Sequence, residues 1–244
     1  MTYMEFLGCT MTAFGPIIAM FLTTIMQDPV KVIILVASAF FWLLSLLVSS
    51  IVWFIIRNQC NIIFGVIISV LCQEVFRYIL YLILQKSRGG LQYVSDRNTM
   101  DNTYAMAYVS GLGFGIISAA FSLLNVLDQV SGPGTMGLKG DSQYFGFITS
   151  ITTCCFSLLH IFWALIFFRG VEIKNRSLVA SVVLSHVFIS SYTWYMSSSG
   201  TVLGLFSMIF IVLFTLVWAM FAYKVIGGSR KSMCNGENLI EETN

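Results

Sequence analysis

Seven runs of about twenty apolar residues dominate this 244-residue chain. A helix needs roughly 20 such residues to cross the hydrocarbon core of a bilayer. The runs cover residues 3–25, 32–56, 62–84, 106–127, 145–168, 177–196 and 202–223. Lipid supplies no partner for an unpaired backbone N–H or C=O, so each run must satisfy its own as an α-helix. A membrane β-barrel would show short segments of alternating polarity, whereas these runs are continuous. Composition agrees: 57% of residues are hydrophobic and 10% charged, against about 25% charged in a soluble domain. A soluble chain of this length has no core large enough to hide so much apolar surface. The fold class that follows is all-α, a polytopic membrane protein with seven transmembrane helices.

Polar punctuation separates the runs. Asp28-Pro29 divides the first from the second, and Asp28 and Asp141 read as cap or turn residues. Arg57 to Asn61 is a short turn, and Ser87 to Tyr104 a longer loop. Gly132-Pro133-Gly134 through Gly140-Asp141-Ser142 is a glycine-rich loop, and Arg169 to Arg176 a charged connector. The loop at 132–140 lacks the Gly-Lys-Ser signature of a phosphate cradle. The first run has no basic segment before it and stays apolar too long for a cleaved signal, so it reads as a retained span. Residues 1–228 form one transmembrane domain and residues 229–244 a polar tail.

Lysine and arginine set the direction. With the N-terminus outside, the inner segments carry Lys31, Lys86, Arg88, Arg97, Arg169, Lys174, Arg176, Lys224, Arg230 and Lys231. The outer segments carry only Arg57 and Lys139. The expected topology is therefore N-terminus extracellular or lumenal and C-terminus cytosolic. Asn175-Arg176-Ser177 is a glycosylation sequon, but this topology keeps it in the cytosol and unmodified. No lysine-arginine cluster suits a nucleic acid. Cys9, Cys60, Cys72, Cys154, Cys155 and Cys234 show no framework spacing and read as small hydrophobes. Trp42, Trp53 and Trp163 read as packing or interface anchors.

Ionisable groups inside spans are costly, and each is a functional candidate with a partner to be named. Glu74 and Arg77 lie three residues apart on span 3, on one helix face, and can pair there. His160 lies on span 5 and His186 on span 6. At 1.5 Å per residue, Glu74, His160 and His186 sit about 15, 12 and 13 Å from the cytosolic ends of their spans. Three helices thus bring polar groups to one level. Three readings stand at this point: hydrogen bonds that hold the helices together, a metal or proton site, or a polar patch for a partner. Neither histidine belongs to the H-E-x-x-H pattern of a zinc peptidase. No buried aspartate pair or Ser/His pairing suggests another protease.

Span 4 carries Gly111-Leu112-Gly113-Phe114-Gly115. Gly111, Gly115 and Ala119 recur every four residues, and Ser118 and Ser122 widen the stripe. Small residues at this spacing let another helix approach until backbones touch. That helix belongs either to this chain or to a partner subunit.

These blocks together resemble the anterior-pharynx-defective family, the seven-span scaffold subunit of γ-secretase. The matching stretches are Gly8-Cys9-Thr10, Ala13-Phe14-Gly15-Pro16, Asp28-Pro29-Val30-Lys31, Ala39-Phe40-Phe41-Trp42-Leu43, Gln73-Glu74-Val75-Phe76-Arg77, Tyr108 through Ile116, Gly132-Pro133-Gly134 with Gly140-Asp141-Ser142, and Leu158-Leu159-His160 with Phe162-Trp163. The likeness runs to about Gly228, and the tail beyond it departs from the family. It implies a non-catalytic subunit that assembles with nicastrin, presenilin and the presenilin-enhancer subunit. In such a complex presenilin supplies the catalytic aspartates that cut type I membrane proteins, including Notch and the amyloid precursor. The family's span-4 glycine motif falls on Gly111 and Gly115, with Ala119 where a third glycine stands, and its two intramembrane histidines on His160 and His186. The resemblance also implies residence in the endoplasmic reticulum, Golgi and plasma membrane, with membrane lipid around the chain. No cofactor or metal is expected.

The family is distantly similar to CAAX-type membrane proteases, and Phe156 to His160 fits their Phe-x-x-x-His pattern. Gln73-Glu74 departs from their paired glutamates. The alternative this leaves is a metal-dependent intramembrane peptidase using Glu74, His160 and His186. A seven-span receptor is disfavoured by the short cytosolic loops.

Overall fold

The computed structural model describes residues 3–57, 61–91, 103–131, 145–197 and 201–227. They form seven helices: α1 (Tyr3–Thr24), α2 (Pro29–Ile56), α3 (Ile62–Leu91), α4 (Thr103–Ser131), α5 (Phe145–Glu172), α6 (Arg176–Ser197) and α7 (Thr201–Val225). All seven are long and apolar enough to span a membrane, and the described residues contain no strand. The glycine-rich loop with Asp141, the tail from residue 229, Cys60 and Cys234 lie outside the described residues. The cysteines within them, Cys9, Cys72, Cys154 and Cys155, are free.

Local chemistry explains the helix boundaries. Asp28 is extended (φ −114°, ψ 109°), and its carboxylate accepts the Val30 N–H at 3.0 Å, capping α2 while Pro29 takes the first turn. Lys31 donates to the Thr24 carbonyl at 3.3 Å and so satisfies the end of α1. Between α5 and α6, Lys174 adopts a left-handed conformation (φ 55°). The Lys174 N–H then reaches Val171 O and the Asn175 N–H reaches Gly170 O, the paired bonds that close a helix C-terminus. The Asn175 side chain accepts from Ser177 N at 3.0 Å and starts α6.

Several helices outrun their apolar runs. Ser87, Arg88, Thr103 and Tyr104, expected in a loop, are helical, as are Arg169 to Glu172 of the expected connector. Hydropathy marks the thickness of hydrocarbon, whereas the backbone ladder continues into the polar interface as long as side chains support it. Arg88 of α3 donates to Thr103 Oγ1 of α4 at 2.8 Å, and that hydroxyl donates to Glu172 of α5 at 2.8 Å. Arg169 pairs with the other oxygen of Glu172 at 3.1 Å. This bridge ties the polar ends of three helices, α3, α4 and α5.

Helices α4 and α5 form the centre and are the most closely packed pair. Helix α2 lies on α4, α3 lies on α2 and α6, α7 lies on α5 and α6, and α1 covers α4 and α5. Side chains buried throughout, such as Leu112, Phe114, Leu159 and Trp163, belong to α4 and α5. The large apolar residues of the outer helices, among them Ile33, Val36, Phe54, Leu213 and Val217, are exposed, as a lipid-facing surface requires.

Candidate functional site

The site begins with the glycines of α4. A Cβ built on Gly111 would lie 2.6 Å from Ile161 Cα and 2.9 Å from the His160 carbonyl oxygen. On Gly115 it would lie 2.7 Å from the Ser157 carbonyl oxygen. These obstacles are backbone, so no side-chain movement relieves them. Gly111 and Gly115 therefore seat α4 directly on α5 of the same chain, which occupies the groove at both positions. Ala119 is buried further along α4. Ser118 donates to Gly115 O at 3.0 Å, and Ser157 Oγ shares its hydrogen between Thr153 O at 2.9 Å and Gly115 O at 3.2 Å. Ser122 is exposed toward a cavity that it lines with Ser118.

Gly113, outside the four-residue stripe, makes an equally close contact. Its added Cβ would stand 2.6 Å from Leu35 O and 2.8 Å from Ser38 Cβ of α2. Two residues along a helix is a rotation of about 200°, so Gly113 faces the other way from Gly111. Phe114, the next residue along, is wholly buried, its ring 5.3 Å beneath the Arg77 guanidinium and 6.2 Å from the His160 ring. The short segment thus fixes α5 on one side, α2 on the other, and a cation-facing ring beside both.

The seam sets the position of His160, whose carbonyl touches Gly111. From there the four intramembrane ionisable residues meet, each at most 4% exposed. Arg77 Nη1 donates to both Glu74 oxygens at 2.9 and 3.0 Å, closing the expected i, i+3 pair. Arg77 Nη2 lies 3.0 Å from His160 Nδ1. A guanidinium has only donors, so His160 Nδ1 accepts and the ring hydrogen sits on Nε2. His186 Nδ1 lies 2.7 Å from Glu74 Oε1. A carboxylate bound by a guanidinium only accepts, so His186 donates from Nδ1. The two imidazoles thus play opposite roles, His160 as acceptor and His186 as donor, around one ion pair.

Aromatic rings enclose this cluster. Trp163 stacks on His186 at 4.2 Å and meets His160 edge-on at 5.6 Å, and the imidazoles are 5.3 Å apart. Trp163 is completely buried, so its place is in the cluster's wall and not at the membrane interface. Trp42 has a comparable inner role, donating to Gln73 Oε1 at 3.2 Å. A cavity of about 450 Å³ opens from the cluster toward the α2–α3 end of the bundle, with Ser69, Gln73, Ser118, Ser122, His160 and His186 on its wall.

The donor set does not suit a metal. Both Glu74 oxygens and both Nδ1 atoms are engaged, and a guanidinium occupies the centre of the cluster. Among the described residues no three His, Cys, Asp or Glu side chains are disposed to hold an ion. The metal-dependent peptidase reading therefore finds no support in this geometry.

Sequence alone does not point to Gly113, Phe114 or the Arg88–Thr103–Glu172 bridge for these roles. Gly113 had a signal, since it alternates with Gly111 and Gly115. Thr103 had none, because a threonine between a loop and a span is unremarkable until its neighbours in space are known.

Comparison with known proteins gives a consistent result. The sequence profile described as Aph-1 protein matches residues 4–229. The chain is 46% identical over 233 residues to the gamma-secretase subunit Aph-1 of Drosophila melanogaster, covering 95% of this chain and 97% of that protein. It is 43% identical over 244 residues to the gamma-secretase subunit Aph-1b of Danio rerio, covering 96% and 93%. Against the gamma-secretase subunit APH-1B of Homo sapiens the identity is 39% over 255 residues, covering 98% and 97%.

Proposed function

We propose that this chain, which belongs to the Aph-1 protein family, is the non-catalytic scaffold subunit of a γ-secretase intramembrane protease complex. One observation supports the non-catalytic part above others. The four ionisable groups that a membrane enzyme would use are bound to one another, with Arg77 bonded to Glu74 and His160, and Glu74 to His186. Both Glu74 oxygens are held by Arg77, and one of them by His186 as well, so the carboxylate is neutralised within the cluster and not poised as a general base. What the cluster does is join α3, α5 and α6 at mid-membrane, where each interhelical hydrogen bond contributes about 0.6–2 kcal/mol.

In this reading Gly111, Gly115, Ala119, Ser118 and Ser122 make the α4–α5 seam, and Glu74, Arg77, His160 and His186 fix the ring of helices around it. The resulting rigid body presents its outer helices to presenilin, nicastrin and the presenilin-enhancer subunit. Presenilin supplies the chemistry for type I membrane substrates such as Notch and the amyloid precursor. Residues 1–228 act as one unit, with residues 229–244 as a cytosolic tail and the N-terminus lumenal. The compartments are the endoplasmic reticulum, Golgi and plasma membrane. A glycan on Asn175 would overturn that orientation.

The test is affinity purification of the full tagged chain in mild detergent, with mass spectrometry of what accompanies it. Recovery of presenilin, nicastrin and the enhancer subunit in fixed ratio is expected. Recovery of the chain alone, with peptidase activity that Glu74→Gln abolishes, would replace this reading with the enzymatic one.

A further inference from the structure

A second cavity, of about 860 Å³, lies at the opposite end of the bundle between α3, α5 and α6. Its body is apolar and open sideways: Leu71, Val75 and Tyr78 of α3 line it and are exposed to the surroundings of the helices. Leu71 to Tyr78 spans about 10 Å along the helix, and the volume lies in the range of small-molecule sites, about 300–1,000 Å³. The acid on its wall is Glu74, whose carboxylate is already taken by Arg77 and His186. The mouth is cationic, with Lys174 and Arg176 from the α5–α6 turn. Among the described residues Arg169 pairs with Glu172, while neither Lys174 nor Arg176 meets a carboxylate.

Lys174 holds the left-handed position of the turn, where glycine is the favoured residue because a Cβ is strained there. A lysine at that position keeps a charge at the mouth that the turn itself does not need. An apolar groove facing the acyl chains, with two unpaired cations at headgroup level, matches the charge pattern of one kind of molecule. We propose that this groove is a binding site for an anionic phospholipid of the leaflet on the α5–α6 side, one acyl chain lying between α3 and α6 and the net negative headgroup held by Lys174 and Arg176. With the topology above, that leaflet is the cytosolic one, which carries the anionic lipids. The assignment goes beyond the scaffold role and does not depend on it.

The experiment places the full chain, with whatever subunits co-purify, in nanodiscs containing a minority of phosphatidylserine or phosphatidylcholine with a photoreactive acyl chain. Both leaflets then carry the same probe, so the result is independent of orientation. Peptides of α3 around Val75 and of α6 around Val179 are expected to be labelled roughly five- to thirtyfold more by the serine lipid, the effect of one to two basic residues on an anionic headgroup. Lys174→Gly relieves the left-handed strain, so it is expected to melt no lower than the parent and still to lose several-fold of this preference. Arg176→Gln is expected to lose a similar factor. Equal labelling by the two lipids would reduce the groove to ordinary lipid-facing surface. An unlabelled groove in the assembled complex would mean a partner's helix fills it. Competition by inorganic phosphate would make it a free-anion site. Each of these outcomes overturns the proposal, as does a preference unchanged in the Lys174→Gly, Arg176→Gln double variant.

Discussion

Along α4 and α5 two backbones meet with almost nothing between them, whereas around Glu74 the helices α3, α5 and α6 are joined through polar side chains. At Gly111 and Gly115 the space left for a Cβ is 2.6–2.7 Å from the facing backbone, so attraction there is dispersion between main chains. At the cluster, contact runs through hydrogen bonds of 2.7–3.0 Å among Glu74, Arg77, His160 and His186. In water the hydrophobic effect would join helices by any apolar face. In lipid it does not distinguish one helix neighbour from another, and only close packing and polar bonds select partners. The chain uses one device between α4 and α5 and the other among α3, α5 and α6, and they meet at His160, whose carbonyl touches Gly111 and whose ring binds Arg77.

The two devices should fail differently. The largest loss is expected from Gly115→Leu, which drives a branched side chain into the Ser157 carbonyl. That cost exceeds ordinary overpacking of about 1–3 kcal/mol, so assembled complex should fall roughly a hundredfold or more. Membrane insertion should be unchanged. Co-purification and a membrane-extraction assay check both parts. Next is Glu74→Gln, which strands the Arg77 charge in the membrane. Breaking a buried pair costs about 3–5 kcal/mol, and glutamine's remaining acceptor places this change near the lower figure. Thermal unfolding of the purified complex reads it.

Smaller still is Gly113→Ala, whose methyl would stand 2.6 Å from Leu35 O, closer than a Cβ can approach, and pushes α2 outward, with about 1–3 kcal/mol lost. A similar methyl at Gly15, where nothing lies within 4 Å, is expected to have no effect and serves as the control. Asp28→Ala removes the α2 cap and a loose 3.9 Å contact with Lys31, and should cost about 1 kcal/mol. If Gly15→Ala proved as harmful as Gly113→Ala, the close approach of α4 to α2 would have no special standing.

Much of this was legible from residue order, and the reasons differ by feature. The seven helices are visible because lipid demands a long apolar run for each. The shared level of Glu74, His160 and His186 follows from counting along their spans. Which atom binds which does not follow, since it depends on how far each helix is rotated about its axis. The same rotation hid Gly113, which lies in the motif but on the face turned to α2. Trp163 reads as a packing or interface anchor, and stacking on His186 settles it as packing. Arg88, Thr103 and Glu172 were assigned to loops since hydropathy ends where hydrocarbon ends, and the helices continue past that level.

The central claim is that the polar cluster holds helices and performs no chemistry. The measurement that meets it most directly is substrate turnover per assembled complex for the double variant Glu74→Gln, Arg77→Met. This pair removes both charges together and leaves glutamine to accept from His186 Nδ1, so the unpaired charge of either single change is absent. Replacing a buried ion pair by uncharged residues of similar volume is often close to neutral. Assembly is predicted to recover toward the parent level, with turnover per complex unchanged. Normal assembly with turnover lost would contradict the account and return Glu74 to a catalytic role.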